Sequence, residues 1–221
     1  MRNFLLGNGT LIVTVLCVLE LVLGGLLLAQ YLKKKRLVIL WMALIAFALC
    51  YDAFVLAAGS LLPEGVLRAL SQFRFVFHGL MIPLLLVICA EALHARKGVK
   101  TVVYAVTALI MIAGAVSGFM TKLEISQVAG ITRCLSSEST PAFAEKFLRV
   151  LSYGTVVPLI ISGIFVWIKQ KTPALFLAGF LMFAFSALGP ATGNFDLIFM
   201  IGMFGELFMI LFFWVYALNQ K

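Results

Sequence analysis

The stretch FDLIFMIGMFGELFMILFFWVYAL, residues 195–218, decides the fold. Beyond Asp196 its only charged side chain is Glu206, set near the middle among glycine, methionine and aromatic residues. A helix needs about 20 apolar residues to cross a hydrocarbon core of about 30 Å, and this run is long enough. Six further runs of the same kind lie upstream, at about 10–32, 37–62, 66–93, 99–121, 147–168 and 173–191. With 63% hydrophobic and 12% charged residues, the chain stands far from soluble domains, where these shares are about 45–50% and 25%. The reading is an all-α polytopic membrane protein: a single seven-transmembrane-helix bundle, with residues 1–221 forming one transmembrane domain.

Orientation follows from the basic residues. One side of the bundle gathers Lys33, Lys34, Lys35, Arg36, Arg96, Lys97, Lys100, Lys169, Lys171 and Lys221, with no acid among them. The other carries Arg2, Arg68, Lys122, Arg133, Lys146 and Arg149, mixed with Glu64, Glu124, Glu138, Glu145 and Asp196. The first side is cytoplasmic by the positive-inside rule, so the N-terminus is outside and the C-terminus inside. The net charge of +8 is thereby assigned to topology. No basic stretch interleaves with aromatic residues as a nucleic-acid surface would. The first run has its basic cluster after the apolar stretch and no small-residue cleavage site, so it reads as a retained span. Short connections and small size point to a prokaryotic cytoplasmic (inner) membrane.

One connection is long, Lys122 to Lys146. It holds Ser136, Ser137, Ser139, Thr140 and Pro141, and a helix is expected to begin near Ala142 with Ser139 or Thr140 as its cap. This segment reads as a plain connector or as a lid over an outward cavity. A long fourth-to-fifth loop also permits a three-plus-one-plus-three plan of parallel repeats.

Five ionisable side chains lie inside the apolar runs: Glu20, Asp52, Arg74, His78 and Glu206. Each costs at least about 2.5–3.5 kcal/mol to place in hydrocarbon, so such groups pair, line water or carry function. At 1.5 Å of rise per residue, Glu20, Asp52 and Glu206 fall about 15 Å below the outer ends of their helices and Arg74 about 12 Å. His78 is one turn below Arg74 on the same face. Asp52 and Arg74 suit an ion pair, since a guanidinium can grip a carboxylate bidentately. Three carboxylates against one arginine then leave negative charge to be balanced by protons, a cation or protonated His78. Crowded like charges favour a protonated carboxyl, which makes Glu206, with no local partner in its own helix, the foremost proton or cation site.

Other features carry less. Pro83 is expected to bend the third run, and Gly114 and Gly118 have the small-xxx-small spacing of a close helix contact. Glu91 should reach Arg96, Lys97 or the interface, and Asn194 with Asp196 should cap the last helix. Cys17, Cys50 and Cys89 lie within spans and Cys134 in the long loop, with no CxxC or zinc spacing. The two histidines, His78 and His94, are about 24 Å apart along one helix and cannot share a metal or haem. No lysine sits mid-span for a retinal Schiff base, and no nucleophile elbow or phosphate loop is present.

The function expected is a transporter or permease for a small solute or ion, possibly proton- or cation-coupled, with Glu20, Asp52, Arg74, His78 and Glu206 as the binding layer. A ligand-sensing module that signals to a partner is the alternative, and a membrane-embedded lipid-modifying enzyme the third. No cofactor or metal is implied. Partners are the lipid bilayer and a small-molecule or ion ligand, with a partner chain or homo-oligomer possible and no nucleic acid.

Overall fold

The computed structural model describes residues 7–191 and 193–220. Arg2 and Lys221 of the charge tally lie outside them. Among the described residues the elements are α1 (Gly9–Lys34), α2 (Leu37–Ala58), α3 (Glu64–Met81), α4 (Leu84–Ala92), α5 (Lys97–Met120), β1 (Leu123–Val128), β2 (Ile131–Ser136), α6 (Ala142–Gln170), α7 (Ala174–Ala191) and α8 (Phe195–Asn219). The third run is split between α3 and α4 at Ile82 and Pro83, where the proline lacks the N–H that would continue the ladder.

Six helical segments are long and apolar enough to cross a membrane: α1, α2, the α3–α4 pair, α5, α6 and α8. The sixth run is a shorter apolar helix, Ala174–Leu188 within α7. Large apolar side chains face outward along them, for example Leu109, Ile112 and Phe119 on α5 and Val18, Leu21 and Val22 on α1. A surface of this kind is a membrane surface, because water would penalise so large a contiguous apolar area. The six long apolar helices are those of a membrane-spanning protein.

Small residues set the helix contacts. A Cβ on Gly79 of α3 would stand 2.2 Å from the Gly114 carbonyl oxygen of α5, and one on Gly114 would meet the Gly79 carbonyl equally closely. Gly118 is pressed against the backbone of Phe75 and Val76, so the small-xxx-small pair marks the α3–α5 seam. Further along, Gly163 of α6 meets the backbone of Leu175 and Phe176 at the start of α7. Leu27, Ile39, Met42, Leu85, Phe213 and Tyr216 form part of a fully buried core. At the ends of α1 and α8, Lys34 Nζ donates to the carbonyls of Ala217 (2.8 Å), Leu218 (3.0 Å) and Gln220, satisfying orphan acceptors of a helix C-terminus.

The long connection departs from the plain connector. β1 and β2 pair antiparallel from Leu123↔Ser136 to Val128↔Ile131, closed by the two residues Ala129 and Gly130. Both have positive φ, 54° and 74°, the hand that matches the twist of a tight hairpin. Val128, Ala129, Ile131 and Cys134 are buried against the bundle. The hairpin backbone lies so close to α1 and α2 that a Cβ on Gly9 would clash with the Ala129 carbonyl and one on Gly59 with that of Thr132.

Two local expectations are corrected. α6 does begin at Ala142, but its cap position is Pro141 with no side-chain bond; Thr140 Oγ1 instead accepts from Lys122 N–H at 2.9 Å and from Ser136 Oγ at 3.0 Å, closing the base of the hairpin. Glu91 is engaged by Lys100 Nζ (2.6 Å) and the Tyr104 hydroxyl (3.1 Å) rather than by Arg96 or Lys97, because α5 returns alongside α4 and brings its first turns within reach.

Candidate functional site

A cavity of about 410 Å³ lies beneath the hairpin. Asp52 from α2, Arg74 and His78 from α3, Arg133 from β2, Ser152 from α6 and Glu206 from α8 line it. Four of the five residues singled out in the sequence therefore share one chamber. Glu20 does not line it. That carboxyl is fully buried on α1, with neither oxygen hydrogen-bonded among the described residues, and its electrostatic neighbours include Cys17, Cys50, Asp52 and Glu206.

Arg74 is the hub. Its Nε stands 3.1 Å from Asp52 Oδ1, and its Nη2 donates to the Cys134 carbonyl at 3.3 Å. The pair is not the bidentate fork that two free nitrogens would make, because one arm is spent on the hairpin. Nη1 is buried without a partner among the described residues. The guanidinium also lies 5.1 Å from the Phe75 ring centroid.

Arg133 changes the charge balance. In the sequence it counts only as an outer-side cation; in the fold, β2 turns it down into the chamber, where its guanidinium lies 4.1 Å over the Phe199 ring. Its Nε is buried and unpartnered among the described residues. Burial, and after it the positive charge of Arg74, brings its pKa down to about 9, with Asp52, Glu206 and Cys134 acting in the opposite sense. It is still cationic at neutral pH. Two arginines thus face two chamber carboxylates, where one arginine against three carboxylates was expected.

Glu206 lies on the chamber wall with Oε2 buried and without a hydrogen-bond partner among the described residues. Asp52, Glu20, Arg74 and Arg133 all act on it electrostatically. Its charge is thus governed by the neighbouring ionisable groups as well as by burial. His78 lines the same space one turn below Arg74.

The hairpin is fixed over this chamber at several points. Besides the Arg74 bond, Arg68 Nη1 donates to the Leu123 carbonyl at 2.6 Å, and Asp196 Oδ1 accepts from Ala129 N–H at 3.1 Å. Asp196 therefore holds the hairpin tip, while Asn194 alone makes the capping bond on α8, from Leu197 N–H at 3.1 Å. Cys17 and Cys50 lie with their sulfurs 3.9 Å apart as free thiols. Among the described residues no three of His, Cys, Asp and Glu converge to hold a metal ion. The chain matches no protein-family model and no curated protein.

Proposed function

We propose that this chain is a seven-span bundle in a cytoplasmic-type membrane, N-terminus outside, that moves a small solute or ion in step with a proton. The contact of Lys34 with the end of α8 supports an odd number of crossings. It puts the C-terminal ends of the first and last helices on one side, which six long helices satisfy only if α7 crosses as well. The chamber then opens in the outer half beneath the hairpin, and the inner half is the packed core around Phe213 and Tyr216.

One observation carries the transport reading: Glu206 places a buried, unpartnered carboxyl oxygen in the same chamber as the Asp52–Arg74 pair. Protonation of Glu206 changes the chamber's net charge by one. A solute that prefers one of the two charge states binds with, or against, the proton. Asp52 and Arg74 serve as the gate, since their pair is joined to the hairpin, and His78 and Glu20 tune the charge of the layer.

The test is reconstitution into liposomes loaded with a pH-sensitive dye. Solute-dependent proton movement that disappears in Glu206→Gln supports the reading; no proton movement under any solute gradient, in protein shown to be folded, rejects it. The tightly packed inner half favours a second reading, a sensor that binds in the outer chamber and signals through its helices. That reading predicts saturable binding unaccompanied by flux.

A further inference from the structure

The chamber has donors in want of an acceptor. Arg74, 6% exposed, has Nη1 buried and without an acceptor among the described residues, and Arg133 has Nε in the same state. Leaving a buried charged donor unsatisfied is costly, and the planar donor edges of guanidinium groups match the oxygens of an oxyanion. Asp52 already lies against Arg74 Nε. Glu206 is the one other acid on the wall of this chamber among the described residues. When it carries a proton, two guanidinium groups outweigh one carboxylate and the chamber suits a monoanion.

The chamber also has an apolar extension. A second cavity of about 290 Å³ shares His78, Ser152, Ser186 and Glu206 with the first and runs between α6 and α7 past Val156 and Met182. It ends at Tyr153 and Phe183, which are 54% and 38% exposed on the outer surface of the bundle. In a bilayer that surface faces acyl chains. Deeper in, the two helices close on each other, at Gly163 against Phe176 and Gly179 against Ile160. The cleft between them is therefore confined to the outer half, with Arg149 at its rim.

We propose that the chamber binds an amphiphilic oxyanion, its carboxylate, phosphate or sulfonate head between Arg74 and Arg133 and its apolar tail in the α6–α7 cleft. This rests on the proposed function only in treating the chamber as a ligand site; flux is a separate question. The same head chemistry belongs to a bilayer lipid and to a dissolved amphiphile, and both reach the cleft from the outer side.

The test uses the full chain in nanodiscs, with octanesulfonate, methanesulfonate and lysophosphatidic acid as probes and calorimetry as readout, corrected for empty nanodiscs. Octanesulfonate is expected to bind at least about tenfold more tightly than methanesulfonate, since each buried methylene contributes about 0.8 kcal/mol. Arg133→Gln should weaken it by about tenfold or more, the loss of a charge-assisted bond, with Arg133→Lys between. Ser152→Phe, which fills the junction of the two cavities, should lower the ratio of octanesulfonate to methanesulfonate affinity. Displacement of octanesulfonate by lysophosphatidic acid assigns the ligand to the bilayer; binding of octanesulfonate without such displacement assigns it to solution. No binding of octanesulfonate, equal binding of the two sulfonates, or binding indifferent to Arg133→Gln overturns the proposal. Glu206→Gln should abolish the proton movement that accompanies octanesulfonate. Anion binding with no proton movement in the unaltered protein defeats the transport reading alone.

Discussion

Arg74, in α3, donates through Nη2 to the backbone carbonyl of Cys134, in the β1–β2 hairpin, at 3.3 Å. Its Nε meanwhile stands 3.1 Å from Asp52, so one guanidinium joins a half-buried carboxylate to the cap over the chamber. A change in the ion pair is a change in how the hairpin is held.

Arg74→Met should cost about 1–3 kcal/mol of stability, because it strands the half-buried Asp52 without its cation and the Cys134 carbonyl without its donor. The double variant Asp52→Leu with Arg74→Met should recover most of that loss, since neither charge then remains to be solvated. Reversible unfolding in micelles across the double-mutant cycle measures this. Additive losses would mean that the two side chains are not coupled.

Gly114→Ala should destabilise the bundle by about 1–3 kcal/mol, as overpacking does, because its methyl would stand 2.2 Å from the Gly79 carbonyl oxygen. Gly25→Ala, on α1 with nothing within 4 Å, should be neutral or stabilise by up to about 1 kcal/mol through helix propensity. Thermal midpoints of the two variants, read side by side, separate packing from propensity. Equal effects would remove the α3–α5 seam from the account.

The proton of Arg133 gives a pH signature. Arg74, Asp52, Glu206 and Cys134 face it; in Glu206→Gln the titration of that carboxyl is removed. There, octanesulfonate binding should be full below about 9 and fall as the pH rises through that value, because only the cationic guanidinium attracts the anion. Ligand-free stability should move the other way. The unfolded chain keeps the Arg133 proton to higher pH than the native one, and stability rises wherever the unfolded state holds more protons. Anion binding that stays level well past 9 would mean that burial does not draw the Arg133 proton off in that range.

Lys34→Met should cost about 1–2 kcal/mol, the loss of a cation at a partly buried helix C-terminus, while Lys34→Arg keeps most of it. The proposed seven-span plan, in which α6 crosses between them, predicts the sidedness of Ser139 and Lys171. A cysteine at Ser139 should react with an impermeant thiol reagent from outside, and one at Lys171 only after the membrane is opened. Labelling of both from one side would break the seven-span assignment.

Six of the seven expected runs were legible as long apolar helices because crossing hydrocarbon demands about 20 apolar residues in a row, and the break at Pro83 because a proline withholds a backbone donor. The hairpin was not. Its turn is Ala129-Gly130, whereas Asn-Gly or Asp-Gly is the usual signal for two positive φ values, and its strands carry polar and apolar residues without strict alternation. Arg133 was hidden for the same reason: an arginine in a loop reads as topology until the loop folds back over the membrane. A strand-like stretch, Ile131–Ser136, with one arginine beside apolar neighbours was the signal available. Glu20 shows the limit of depth as a guide. The rise per residue fixes how far down a side chain lies, but its direction around the helix comes from packing, and α1 is apolar on nearly every face.

The most direct test of the central claim, that an anion and a proton meet in this chamber, is to count protons as octanesulfonate binds. This probe keeps its charge at every pH in question, so uptake reports on the protein alone. In weakly buffered nanodiscs, over a pH series around neutrality, the account predicts a maximum approaching one proton taken up per anion bound. It predicts that the octanesulfonate bound by Glu206→Gln takes up no proton. Binding without proton uptake in the unaltered protein, or the same uptake in the variant, would contradict it.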